Sequence, residues 1–296
     1  MTDKRVLVTG CAGMLGWTIC EQLQRDMSVT GIYHNELPPA TLEETYQTDV
    51  RDELRVKRLM ERLCPDVIIH CAGLINVDAA EEDYMATRDV NALGTWYLAK
   101  HAPPEAKFVY ISSDAVFDGR SSMHAETELP LPLSVYAKTK LEGEWFVRQE
   151  TDNHIIIRTN FFGRHHTGKT SFAEWIVDSL MAKSGIRMVT DWYFTPAFVG
   201  DLVDAIRGLV DADAKGIFNV AGGERCSKYE FGLETARVFG LDESLVTPVH
   251  FGELIMRAPR AQDMSLDCSK VAEVLGKPMP SFKDGLLRFR DTWESK

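Results

Sequence analysis

The chain has 296 residues, 45% of them hydrophobic, and a formal net charge of −11, so it can bury a large core in one large or two closely associated domains. The negative balance works against a general attraction to nucleic acid or to an anionic membrane, and any anionic ligand must be held by a local basic cluster. No stretch approaches the roughly 20 apolar residues that span a bilayer, and the first apolar run stops at a glycine turn without becoming a signal-peptide core, so a cytoplasmic location is expected.

Lys4 to Val8 reads as a short buried strand, and Met14 to Arg25 as a helix with Leu15, Ile19 and Leu23 on one face. Between them stands Thr9-Gly10-Cys11-Ala12-Gly13-Met14-Leu15-Gly16. A pyrophosphate at such a strand-to-helix turn accepts hydrogen bonds from backbone N–H groups at the positive end of the helix, provided no side chain holds the backbone away. Gly10, Gly13 and Gly16 meet that need, spaced G-x-x-G-x-x-G where the usual fingerprint is G-x-G-x-x-G. The whole turn, with Ala12, Met14 and Leu15, is assigned to a nicotinamide dinucleotide.

The second strand, near 29–33, runs into Tyr33-His34-Asn35-Glu36. An acidic residue at this strand end favours NAD through the ribose 2′-OH, and a basic one accepts the 2′-phosphate of NADP. His34 and Asn35 hold the critical place and tolerate the phosphate, while Glu36 falls one step later. NADP(H) is therefore favoured and NAD(H) admitted, with Tyr33 and His34 beside the cofactor.

Apolar strands near 45–50, 66–71 and 107–112 alternate with helical patterns near 52–63, 77–101 and 136–150, the rhythm of a parallel sheet covered on both faces. Ligands in such sheets bind beyond the carboxyl ends of the strands. The glycine turn, Cys71-Ala72-Gly73 and Ser112-Ser113-Asp114 all fall there. The rhythm then loosens into a strand at 154–159, a helix at 171–183, a strand at 186–190, a helix at 200–211, a strand at 216–220 and a helix at 227–239. The expected fold is α/β: a Rossmann-type doubly wound parallel sheet over 1–155, completed by parts of 186–212, with 156–296 mainly a smaller C-terminal substrate-binding lobe.

Ser113, Tyr136 and Lys140 form the candidate catalytic group. Tyr136 and Lys140, at i and i+4 in Ser134-Val135-Tyr136-Ala137-Lys138-Thr139-Lys140, share a helix face. A free tyrosine has a pKa of about 10, and a nearby ammonium lowers it. Tyr136 is then a general acid toward a ketone oxygen or a general base toward an alcohol. Ser113 would hold the same oxygen, and Lys140 would also reach the nicotinamide ribose.

Gly163-Arg164-His165-His166-Thr167-Gly168-Lys169-Thr170 fits the phosphate-loop pattern G-x-x-x-x-G-K-[ST]. No strand ending in a Mg²⁺-binding aspartate follows it, and the first βα turn already carries the dinucleotide motif. Two readings stay open: a loop bordering the substrate, with Arg164, Lys169 and a histidine near its diphosphate, or a solvated basic loop. His165 and His166 lack further ligands at metal spacing, so no metal site is assigned. Cys11, Cys20, Cys64, Cys71, Cys226 and Cys268 contain no C-x-x-C pair and read as reduced packing residues.

These motifs together resemble the extended short-chain dehydrogenase/reductase superfamily and, within it, the dTDP-4-dehydrorhamnose reductases. The resemblance covers nearly the whole chain: Val6 to Gly10, Asp49-Val50, Asn91 to Gly94, Ile111 to Gly119, Tyr136 to Glu144, Ile157 to Thr159, Asp191 with Thr195-Pro196, and Arg260 to Asp267. It implies reduction of the C4 ketone of a nucleotide-linked 6-deoxy-4-keto sugar by NADPH or NADH. It assigns Asp49, Val50, Ala72, Gly73 and Asn91, with Cys71, to cofactor support, and Ser113, Asp114, Val116, Tyr136 and Arg260 to the substrate. The chain departs from that family at Ser113, where threonine is usual, at Asn160-Phe161, where a tryptophan-bearing segment is usual, and at Ala261, where proline is usual. Asn160 and Phe161 are accordingly expected to shape sugar recognition.

The chain is also similar to the regulatory β subunit of methionine adenosyltransferase in Ser112 to Asp114, Lys138 to Leu141 and Leu266 to Lys270. That resemblance implies a protein that binds NADP and a partner enzyme without turnover. Nucleotide-sugar epimerases and dehydratases are a third reading, although the acidic pair usual in dehydratases is here only Asp114, followed by Ala115. The superfamily resemblance further implies a homodimer through the helices near 77–101 and 136–150.

Overall fold

The chain begins with strand, glycine turn and helix, as its periodicity dictates. The computed structural model describes residues 4–294. Its first six strands are β1 (Arg5–Thr9), β2 (Ser28–Tyr33), β3 (Glu44–Gln47), β4 (Val67–His70), β5 (Lys107–Ile111) and β6 (His154–Arg158). They are followed by β7 (Phe161–Phe162), β8 (Ile186–Val189), β9 (Tyr193–Phe194), β10 (Ala197–Phe198), β11 (Gly216–Asn219), β12 (Cys226–Ser227) and β13 (Val246–Val249). Seven of these make one sheet in the order β11-β6-β5-β4-β1-β2-β3, every pair parallel. This is the expected Rossmann-type arrangement.

Alternation of side chains across the strands divides the core in two. Val6, Val8, Ile155 and Ile157 face one layer, together with Leu15 and Ile19 of α1 (Met14–Leu23). Leu7, Ile68, Phe108 and Ile156 face the other, packed with Val56 and Leu59 of α2 (Glu53–Leu63). The near-continuous apolar reading of β4 to β6 follows from burial on both faces.

The helical pattern near 77–101 is divided into α3 (Val77–Glu82), α4 (Tyr84–Arg88), a π-helical turn at Asp89–Leu93 and α5 (Gly94–Lys100). Asp83 leaves helical geometry at φ −137° and its side chain accepts from Ala86 N–H to start α4, the competition with the backbone that acidic residues bring to a helix interior. Next come α6 (Val135–Glu150), α7 (Phe172–Met181), α8 (Val199–Asp211), α9 (Lys228–Val238), α10 (Ser269–Leu275) and α11 (Phe282–Glu294).

The sheet draws strands from both sides of residue 155. β8 stays outside it and pairs with β13 in a separate two-stranded sheet, and the edge beyond β6 is closed by β11. From the 186–212 segment it is α8 that serves the main layer, packing on α1.

Candidate active site

The carboxyl ends of β1, β4 and β5 open into a cleft of about 550 Å³, lined among others by Gly10, Gly13, Met14, Leu15, Gly16, Cys71 and Gly73 on one side and Ser113, Asp114, Tyr136, Asn160, Phe161 and Arg260 on the other. Gly10 has φ +66°, and a Cβ there would stand 2.7 Å from Ala72 N, so the turn needs glycine for conformation and for space. A Cβ on Gly16 would run into the Gly10 carbonyl. Gly13 opens α1 with no side-chain cap, which leaves first-turn N–H groups for an anion. This arrangement fits a dinucleotide pyrophosphate.

A buried chain of hydrogen bonds holds the glycine side. Thr95 Oγ1 donates to the Asn91 carbonyl (2.7 Å), so it accepts from His70 Nε2 (2.9 Å). His70 Nδ1 must then accept from Thr9 Oγ1 (2.6 Å), whose oxygen in turn accepts from Ala72 N–H (3.3 Å). The network assigns His70 a single neutral tautomer, and burial pushes its pKa down to about 3. Asn91 accepts from Leu74 N–H and donates to the Leu74 carbonyl and to Thr139, and so supports the 71–74 backbone from behind. Val50 is buried against Gly94. Asp49 is gripped by Arg51 and has His34 Nε2 at 3.5 Å, which keeps its carboxyl below the usual range, through Arg51 first.

On the facing wall, Ser134 caps α6 by accepting from Ala137 N–H (3.2 Å), so Tyr136 and Lys140 fall on its first two turns. Glu144, ion-paired with Arg158 at 2.8 Å and accepting from Ser112, ties this helix to the ends of β5 and β6. Lys140 Nζ lies 4.2 Å from the centre of the Tyr110 ring, and burial lowers its pKa to about 7.

Tyr136 is raised to about 12, chiefly by burial, against a hydrogen bond with Ser113 that lowers it. The expectation that Lys140 depresses the Tyr136 pKa is therefore corrected for the protein alone. The ammonium is itself dehydrated and sits on Tyr110, so the phenol remains neutral. Ser113 Oγ donates to Asp114 Oδ1 (3.0 Å) and Asn160 Nδ2 donates to Asp114 Oδ2 (2.8 Å), yet burial still pushes the Asp114 carboxyl up to about 6.

Two residues expected at the substrate lie elsewhere. Val116 is fully buried with Phe117, Ala221 and Leu266, because the 3₁₀ turn at Asp114–Val116 points it into the protein. Arg164 donates to the Thr292 carbonyl (3.2 Å) and lies over the Trp293 ring. Lys169 lines the cleft, but its ammonium pairs with Glu36 at 2.7 Å, on the glycine side. The phosphate-loop pattern fails for a local reason: Ser171 and Glu174 close a capping box on α7, and the Glu174 carboxylate also accepts from His165 N–H, so the helix N-terminus is filled and carries negative charge.

Several lining residues had no sequence signal. Phe172 and Trp192 face the cleft, and behind them Lys228 Nζ stands 3.3 Å from the Phe194 ring centre, lowered to about 8 by burial against the opposing charge of Asp114. The Ser227-x-x-Glu230 capping box announces the start of α9 but not where Lys228 reaches. Among the described residues no cluster of His, Cys, Asp and Glu could hold a metal ion, and no helix is long and apolar enough to cross a membrane.

The family described as RmlD substrate binding domain matches residues 4–294. The chain is 31% identical over 287 residues to the probable low-salt glycan biosynthesis reductase Agl14 of Haloferax volcanii, covering 94% of this chain and 95% of that one. It is 30% identical over 283 residues to methionine adenosyltransferase 2 subunit beta of Rattus norvegicus, covering 93% and 83%. Its fold superposes on the dTDP-4-dehydrorhamnose reductase of Bacillus anthracis crystallised with NADP, with a TM-score of 0.88 at 26% identity over 98% of this chain and all of that one.

Proposed function

The chain belongs to the RmlD substrate-binding domain family, and from that premise we propose that it reduces the 4-keto group of a nucleotide-linked 6-deoxy sugar, with NADPH favoured and NADH admitted. One observation carries this reading: the open glycine turn and the Ser113, Tyr136 and Lys140 group face each other across a single cleft. The likeness to a reductase crystallised with NADP and to a glycan biosynthesis reductase supports it.

The dinucleotide, when bound, supplies the hydride. Tyr136, held neutral by burial, delivers its Oη proton to the ketone oxygen as it gains charge. Ser113 Oγ fixes that oxygen, turning from Asp114 to do so. Lys140, whose pKa burial lowers to about 7, is favoured as the ammonium beside an anionic ligand and then stabilises the developing phenolate. Asp114, Asn160, Phe161 and Arg260 meet the sugar. Asn160, Phe161 and Arg260 come from 156–296 and join Asp114 on the far wall, which supports the division near residue 155 into a dinucleotide domain and a substrate lobe. A cytoplasmic location and a homodimer through the helices of 77–101 and α6, the latter on superfamily resemblance, complete the reading.

The test is oxidation of NADPH and NADH with dTDP-4-keto-6-deoxy sugars generated in situ, beside Tyr136→Phe with cofactor binding measured in both proteins. We expect kcat to fall by about 10²- to 10⁴-fold, the usual worth of a positioned general acid, with cofactor affinity retained. The similarity to methionine adenosyltransferase 2 subunit beta gives the second reading, a regulatory subunit, and cofactor binding without turnover on any such sugar would favour it.

A further inference from the structure

The 163–170 loop crosses the molecule to the glycine turn. His166 stacks on Trp17 of α1 with ring centres 4.7 Å apart and planes 4° from parallel. Thr167 Oγ1 donates to Glu36 Oε2 (3.0 Å) and lies 3.5 Å from the Ala12 carbonyl inside the turn. Lys169 Nζ meets the other Glu36 oxygen at 2.7 Å. Glu36, expected to lie one step past the decisive place, is thus tied through Thr167 to the turn itself. Three residues beyond β2, it stands at the strand end where a dinucleotide presents its adenosine ribose.

We infer that Lys169 and Glu36 together select the substituent on that ribose, Lys169 engaging a 2′-phosphate and Glu36 a 2′-hydroxyl. This rests on the dinucleotide reading of the cleft. Lys169 comes from a loop more than a hundred residues away in sequence, so no inspection of the strand end alone identifies it.

The chemistry of the two groups is opposite. A carboxylate accepts a hydrogen bond from a 2′-hydroxyl and repels a 2′-phosphate, and an ammonium binds the phosphate as a compact charge. Lys169 keeps 61% of its side chain exposed and Glu36 keeps 35%. An ion pair so open to water is of small net worth, and Lys169 can exchange Glu36 for a doubly charged phosphate without leaving the cleft edge. With both groups present the site admits both cofactors and leans toward NADP.

The experiment is calorimetric measurement of Kd for NADPH and NADH with the unmodified protein, Lys169→Ala, Glu36→Gln and Thr167→Val. Lys169→Ala should weaken NADPH at least about ten-fold, as expected for loss of a charge-assisted bond, and leave NADH within about two-fold. Glu36→Gln should act in the opposite sense, weakening NADH and leaving NADPH unchanged or tighter. Thr167→Val removes an anchor common to both and should shift both by the same factor. Equal effects of Lys169→Ala on the two cofactors, no effect on either, or the same asymmetry from Thr167→Val would each overturn the inference while leaving the dinucleotide site standing. Failure of the unmodified protein to bind either cofactor would overturn both.

Discussion

The two sides of the cleft are built differently. The glycine side comes from successive strand-and-turn units within the first hundred residues, locked by a buried chain through Thr9, His70, Thr95 and Asn91 with one consistent donor direction. The far wall is gathered from separate segments, with Asn160, Trp192 and Arg260 as its markers, and its links are ion pairs, ring contacts and side-chain hydrogen bonds to the buried carboxylates of Asp114 and Glu144. Backbone geometry governs the first side, so an added methyl group breaks it. Side-chain chemistry governs the second, so substitutions there retune recognition and leave the fold in place.

Gly10→Ala presses hardest on that contrast. The positive φ and the 2.7 Å approach to Ala72 N should remove about 2–4 kcal/mol of stability, combining backbone strain with overpacking, and abolish cofactor binding. Urea unfolding and a binding titration read the two effects. A stable variant that still binds would show that the glycine side yields as readily as the far wall.

Asp114 is the far-wall carboxyl whose expected pH signature falls in the acid range. Its folded pKa of about 6 lies above the ordinary 3.8, so its contribution to stability is fully present below about pH 4 and is lost as pH rises through about 6. In Asp114→Asn that loss is absent. The variant's stability relative to the unmodified protein should therefore rise by about 1–3 kcal/mol between pH 4 and 7, read from unfolding at a series of pH values. Asp201, also raised to about 6, is common to both proteins and cancels. A difference that stays flat with pH would mean that Asp114 is ionised across the range.

Arg260 bonds Asp78 (3.0 Å) and the Ala258 carbonyl (3.3 Å) at the cleft edge. Arg260→Ala should raise sugar KM about ten-fold, the worth of one charged hydrogen bond, and leave cofactor Kd unchanged; a change confined to cofactor Kd would move Arg260 across the cleft. Arg164→Ala should do least. With its guanidinium on Thr292 and Trp293, sugar KM should stay constant and stability should change by no more than about 0.5 kcal/mol. A raised KM would return this residue to the substrate side.

Much of the architecture was legible because it is written in short-range patterns. Apolar runs placed the first six strands, the glycine spacing placed the turn, and the i, i+4 spacing put Tyr136 and Lys140 on one helix face. The break at Asp83 was hidden because periodicity continues through it, and only the competition between the Asp83 side chain and the backbone ends the helix there. β8 reads like any sheet strand, and its partner β13 lies about sixty residues downstream. Arg164 and Lys169, five residues apart, go to opposite ends of their surroundings, and nothing in their spacing tells an ion pair with Glu36 from a contact with Trp293.

By itself, the sequence determined the doubly wound sheet, the glycine turn and the shared helix face of Tyr136 and Lys140, since each depends on residues within a few turns or one strand of each other. The tertiary structure alone decided the protonation of that pair and the composition of the far wall. It buried Tyr136 and Lys140 far enough to push one to about 12 and the other to about 7, and it brought Lys169 across to Glu36. Dehydration and ion pairing depend on which distant surfaces close over a side chain, a property of the packed chain and of no local segment.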